Sequence, residues 1–254
     1  MLGVLGGMGP MATVDFLAKL VRATPAGRDQ DHIPTLVCSA VDIPDRADAI
    51  LGAGPDPLPA MRAALARLEA GGATRIAIPC NTAHHWHAAL QAGTALPILH
   101  IVDAVAETLA RTETETETET GIAAGTGGRV GLLATDGTLR TGLYRERLAR
   151  RGLTCLGPDP EGQAAVAAAI RLVKAHRVAE ARPLLEAQVR ALAEAGCDRV
   201  VMACTEIPIA LAGSDPSGRL VDATEALARA CVAACRPDQR PACGAQTAAL
   251  PRAA

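Results

Sequence analysis

The chain has 254 residues, enough for one large α/β domain or two of moderate size. Its apolar content of 49% is ample for a core, whereas 1% aromatics and a net charge of −2 exclude a base-stacking or strongly basic nucleic-acid surface. No apolar run approaches the ~18 residues of a membrane span, and the N-terminus carries no basic leader. A cytoplasmic protein is therefore expected, with its eight cysteines read as thiols.

Leu2 to Leu5 reads as a short buried strand, and Gly6-Gly7-Met8-Gly9-Pro10 as a backbone-rich turn. Pro10 suits a first helical position, and Ala12 to Ala23 carries helical spacing. Gly7-x-Gly9-x-x-Ala12 formally matches a dinucleotide fingerprint, but the acid expected to end the second strand is missing. The better reading is a glycine turn whose N–H groups face a small anionic ligand. Thr35 to Ala40 is the next strand, followed by a loop through Ile43-Pro44-Asp45-Arg46. Arg46 lies after a strand end, where a carboxylate clamp would sit; a plain surface charge is the alternative.

Ala60 to Ala70 is an Ala-rich amphipathic helix that feeds the strand before Cys80. Asn81 and Thr82 are good N-cap residues for a helix from Ala83 to Leu90, which puts Cys80 at a helix N-terminus, where thiolate is favoured. Cys80, His84 and His87 match a metal set by spacing alone, but no fourth ligand is evident, so no metal is expected and His84 is read as a hydrogen-bond partner. Pro97 to Ile101 reads as a strand and Asp103 to Arg111 as a helix.

Thr112 to Thr120 alternates Thr and Glu strictly; with the Gly-rich run to Gly128 it reads as a low-complexity solvated linker, 112–128. The second half opens with a strand over Val130 to Ala134, the turn Thr135-Asp136-Gly137-Thr138, and a helix over Leu139 to Arg151. A short strand around Cys155 and a helix over Gln163 to His176 follow, with Lys174 near the end of that helix. Val178 to Glu194 is a long helix feeding the strand before Cys204, and Thr205-Glu206-Ile207-Pro208 begins another helix. Leu220 to Asp222 and Ala223 to Cys235 form a last βα unit, expected to complete the first half's sheet; the Pro- and Ala-rich residues 237–254 are expected to be a disordered tail.

The two halves repeat each other. Gly3 to Thr13 lies on Gly131 to Thr141, so that Gly9 meets Gly137 and Phe16 meets Tyr144. Each cysteine comes five positions after an Arg that precedes a buried strand: Arg75 and Cys80, Arg199 and Cys204. Strand ends are where open α/β sheets place ligands, so two thiols are expected to face each other across one site. The expected fold is two pseudosymmetric parallel-sheet α/β domains with the active site in the cleft between them. Their bounds are 1–102 plus 211–236, and 103–210.

Four motifs in order resemble one family: Gly6 to Thr13, Ile43-Pro44-Asp45-Arg46, Pro79-Cys80-Asn81-Thr82-Ala83-His84 and Ala203-Cys204-Thr205-Glu206-Ile207-Pro208. They are similar to the aspartate/glutamate racemases, on the aspartate racemase side, over residues 2 to 235. The resemblance implies a racemase that needs no cofactor and is a homodimer. It implies Cys80 and Cys204 as the acid/base pair, with Arg46, Lys174, Asn81 and Thr82 as substrate contacts. Met8, Gly9, Ala83, Thr138, Thr205 and Glu206 complete the candidate substrate-binding set.

The chemistry asks for such a pair. Racemisation removes the Cα proton from one face and returns one on the other, so two groups must flank the carbon. One is deprotonated while the other is protonated. Thr82, Thr205 and nearby backbone N–H groups are candidates to stabilise the carbanion's carboxylate. Arg46 and Lys174 suit a second carboxylate, and Glu206 an α-ammonium. These residues suit an acidic amino acid, and the resemblance implies L- and D-aspartate as the expected substrates. The alternatives are a broad-specificity or glutamate racemase, a related dicarboxylate isomerase, an amino-acid-binding protein that would not need both thiols, or a thiol redox protein, for which no Cys-x-x-Cys exists.

Overall fold

The structure is a computed structural model that describes residues 1–120, 128–215 and 217–236. The first half runs β1 (Leu2–Gly6), α1 (Pro10–Ala23), β2 (Thr35–Ser39), α2 (Arg46–Leu51), α3 (Leu58–Ala70), β3 (Arg75–Ala77) and α4 (His87–Gln91). Helix α5 (Ile101–Thr120) leads out of it. The second half runs β4 (Arg129–Ala134), α6 (Asp136–Arg140), α7 (Leu143–Ala149), β5 (Thr154–Leu156), α8 (Pro160–Lys174) and α9 (Val178–Glu194). It closes with β6 (Arg199–Ala203), α10 (Ile207–Ala210), β7 (Leu220–Asp222) and α11 (Ala223–Cys235).

Every strand pair is parallel, and the two sheets have the orders β2-β1-β3 and β5-β4-β6-β7. The first three strands of the second sheet repeat the first sheet in both order and direction. This is the pseudosymmetric α/β architecture that the internal repeat predicts. The central strands β1 and β4 are apolar and almost wholly buried, because helices cover both faces of each sheet. One continuous core joins the halves: Leu2, Val4 and Phe16 pack with Val105, Leu132, Tyr144 and Leu227.

The last βα unit departs from its expected place. β7 pairs with β6, Val201 against Val221, and so extends the second sheet instead of completing the first. The outer edge of β3 is already occupied, since Ile76 N–H donates to Pro97 and Ile76 accepts from Leu99 N–H. The strand predicted over Pro97 to Ile101 is reduced there to one bridge, Ile76 to Ile98. β6 keeps a free edge, which β7 takes. α11 nevertheless crosses back and packs on α1 and α5. Lys19 of α1 fixes that crossing: it is 7% exposed and ion-paired with Asp15 and, at 2.6 Å, with Asp222.

Two further elements differ from expectation. The Thr-Glu run continues α5 as helix to Thr120 instead of forming a linker. Ile101, Val102, Val105 and Leu109 anchor that helix in the core. Once nucleated, a helix propagates at little cost through Glu, a good helix former. The helix predicted over Leu139 to Arg151 is broken into α6 and α7 at Gly142, which is left-handed at φ 68°. Residues 121–127 of the predicted linker and the predicted tail, 237–254, lie outside the described residues.

Candidate active site

The C-terminal ends of the matching strands converge on one cleft. Cys80 follows β3 and Cys204 follows β6; both are 5% exposed and both line the cleft. Met8 from the glycine turn, Arg46, Asn81, Thr82, Lys174, Thr205 and Glu206 line it too. Gly9 backs onto this wall: a Cβ there would stand 3.2 Å from Glu206 Oε1.

Two of the residues assigned to substrate lie behind the surface. The Ala83 methyl is packed in the first half's core, so only its backbone can reach a ligand. Thr138 is 2% exposed and bonds to Thr82 at 2.9 Å and to Thr135 at 3.0 Å. Thr82 also meets Thr135 at 3.0 Å, which closes a triangle of hydroxyls across the two halves. Gly137 lets the halves approach there: a Cβ would lie 2.8 Å from Ala47 Cα.

The predicted N-caps do other work. Asn81 makes no side-chain cap, and the segment after it is a 3₁₀ turn over Thr82–Trp86, followed by the short α4. Asn81 Oδ1 instead accepts the Tyr144 hydroxyl at 2.6 Å, and Thr82 joins the hydroxyl triangle. No motif marked Tyr144, whose partner Asn81 is 63 residues away, or the contact of Thr135 with Thr82, 53 residues away. Asp45 also lines the cleft. Its place beside Arg46 in the second motif was the available signal.

The charges are distributed unevenly. Cys204 Sγ donates to Glu206 Oε2 at 3.1 Å. Burial, and then the Glu206 carboxylate, push the Cys204 thiol well above the usual value, so this thiol holds its proton. Burial alone would lower Lys174, but the carboxylates of Glu206 and Asp45 outweigh it and hold the ammonium charged. Lys174 and Asp45 stand 3.5 Å apart with side chains 45% and 39% exposed, a pair worth at most about 1 kcal/mol and open to exchange. Arg46 Nη1 donates to the carbonyls of Ile43 and Pro44, while its buried Nε has no partner among the described residues. The backbone thus aims the guanidinium without neutralising it.

His84 supports the first thiol from below. Its Nδ1 donates to the Cys80 carbonyl at 2.9 Å, and its Nε2 accepts from Ile101 N–H at 3.1 Å. Both ring nitrogens are thereby occupied, and His87 Nε2 donates to the Ile98 carbonyl. Among the described residues no group of three or more His, Cys, Asp or Glu is arranged to hold a metal.

Burial lowers His84 from 6.5 to about 4, so the folded protein prefers the neutral ring. The folded value lies below the unfolded one. This contribution is therefore complete above about pH 6.5 and lost as pH falls through 4. It amounts to about 3 kcal/mol. Denaturant midpoints at pH 7 and pH 4 should fall less steeply for His84→Asn than for wild type. Equal slopes would contradict a buried neutral His84.

The fold and the site together define a class: a doubled α/β enzyme whose cleft receives one thiol from each half, with no helix long and apolar enough to cross a membrane among the described residues. The family model for Asp/Glu/hydantoin racemases matches residues 5–231. The aspartate racemase of Picrophilus torridus superimposes with a TM-score of 0.77 at 30% identity, covering 92% of this chain and 93% of that one. The broad specificity amino-acid racemase RacX of Bacillus subtilis is 24% identical over 91% of this chain and 96% of its own length. The glutamate racemase of Deinococcus radiodurans is 31% identical over 85% of this chain and 69% of its own. The chain belongs to the Asp/Glu/hydantoin racemase family, and it is an amino-acid racemase, an isomerase that works without pyridoxal phosphate.

Proposed function

We propose that this racemase interconverts L- and D-aspartate, with Cys80 and Cys204 as the two bases. The observation that carries the proposal is the convergence of the two strand-end thiols with Arg46 and Lys174 in one cleft. The thiols flank the Cα–H bond, and the two cations receive the side-chain carboxylate, with Lys174 exchanging Asp45 for substrate. Similarity to the Picrophilus aspartate racemase favours the same substrate.

The protonated Cys204 is the basis for the direction proposed for the first turnover. Cys204 enters as the proton-loaded partner, because burial and Glu206 hold it as a thiol. Cys80 then acts as the base that takes the Cα proton, and Cys204 delivers its own to the opposite face of the carbanion. Afterwards Cys80 holds the proton and Cys204 is the base, ready for the other enantiomer. In the free enzyme Cys80 returns its proton to solvent and Cys204 regains one from solvent through Glu206, 3.1 Å away, which resets the pair. Asn81 and Thr82 offer donors to the α-carboxylate as its oxygens gain charge.

A second reading is a broad-specificity racemase. It is favoured by the near full-length similarity to RacX and by the Asp45 carboxylate, which already shares Lys174. The test is incubation of purified protein with L-aspartate, L-glutamate and neutral L-amino acids in deuterated water without added cofactor. Chiral chromatography and mass analysis should show D-aspartate with deuterium at Cα, formed faster than any other product. Faster turnover of neutral amino acids would establish the second reading.

A further inference from the structure

We propose that Tyr144 is a positioning residue: its hydroxyl decides which end of the Asn81 amide faces the cleft. The inference rests on the racemase reading above and adds a residue to it. Tyr144 is the chain's single tyrosine and is 1% exposed. It rises from α7 in the second half and donates to Asn81 Oδ1 in the first, at 2.6 Å. Asn81 is itself 2% exposed and lines the cleft, yet its Nδ2 has no partner among the described residues. A buried amide with its oxygen satisfied and its NH₂ unpaired is costly to hold, unless that NH₂ awaits an acceptor.

The opposite amide orientation is the disfavoured one. It would leave the phenol proton without its acceptor and turn Oδ1 toward the incoming anion. Burial raises the Tyr144 phenol well above its usual value, so the hydroxyl keeps the proton that it donates. The Tyr144 contact therefore leaves the two amide hydrogens of Asn81, the residue that follows Cys80, as the unpaired end, without formal charge. They suit the α-carboxylate oxygens that gain charge as the Cα proton leaves. The internal repeat supports a dedicated role for the hydroxyl. Phe16 fills the equivalent position in the first half, is also wholly buried, and does without one. The residue matching Asn81 in the second half is Thr205, which has no amide to orient.

The test is a cycle of Tyr144→Phe, Asn81→Ala and the double variant. Tyr144→Phe should retain the fold, as Phe16 does in its own half, and thermal midpoints check this. Its kcat/KM should fall about tenfold, mainly in kcat, because the donor matters most as charge develops. Adding Tyr144→Phe to Asn81→Ala should change kcat/KM by less than twofold. Losses that multiply would make Tyr144 a packing residue and overturn the proposal. A second readout needs no turnover: Tyr144→Phe should shift the Asn81 side-chain amide signals in a ¹⁵N spectrum. Unchanged signals would also overturn it. Wild type that racemises no amino acid would defeat the function proposed above while the amide signals still test the Tyr144 contact.

Discussion

Alanine at either Cys80 or Cys204 should reduce racemisation in both directions by at least about a thousandfold. General acid–base groups contribute roughly a hundred- to ten-thousandfold each, and no other thiol can replace either one. The cleft is lined by these two cysteines alone among the described residues. Cys231 is the control: it is wholly buried in α11 within the core, so Cys231→Ala should keep catalytic efficiency within a few-fold below its melting midpoint.

The single variants carry a second signature. A remaining thiolate can still take the Cα proton from its own face and return solvent deuterium to that face. Each variant should therefore exchange Cα hydrogen of one enantiomer without inversion, and the two variants should do so for opposite enantiomers. Full racemisation by either single variant would end the two-base mechanism. Exchange of the same enantiomer by both would show that the thiols do not lie on opposite faces.

Removing Arg46 or Lys174 should weaken aspartate turnover far more than that of a neutral amino acid. A charge-assisted contact is worth about 1.5–3 kcal/mol, or roughly ten- to a hundredfold in kcat/KM. A neutral substrate never makes that contact. The two cations should not contribute equally. Arg46 is held by two backbone carbonyls and its buried Nε has no partner among the described residues, so no hydrogen-bonded carboxylate has to be displaced from it. Lys174 is shared with Asp45 and Glu206, so aspartate must displace part of its present pairing. Arg46→Ala should therefore lie at the large end of the range and Lys174→Ala at the small end. The quantity to measure is the ratio of aspartate to alanine efficiency in wild type and each variant. Equal losses for all substrates would assign these residues to the α-carboxylate or the thiolates, and would remove the basis for an acidic substrate.

Much of this site could be read from the residues, because what marks it is local. A buried strand, a glycine turn and a helix each follow from the spacing of a few neighbouring residues, and the repeat of that order fixed Cys80 and Cys204 at matching strand ends. Arg46 and Lys174 came from motifs and resemblance, and both reach the cleft. Local signals misled where a local rule had a distant competitor. Asn81 looks like an N-cap, but the Tyr144 hydroxyl claims its oxygen. The Thr-Glu run has a strand's alternation, yet it continues a helix anchored by the apolar turns before it. The sequence by itself determined the doubled α/β halves and the thiol pair, since periodicity and turn chemistry act over a few residues. Only the tertiary structure decided that β7 joins the second sheet, that Lys19 ties α1 to Asp222, and that Tyr144 and the threonine triangle lock the halves around the cleft. Those choices depend on which strand edge is already taken and which buried polar atom lacks a partner, and both are settled only when segments far apart in the chain pack together.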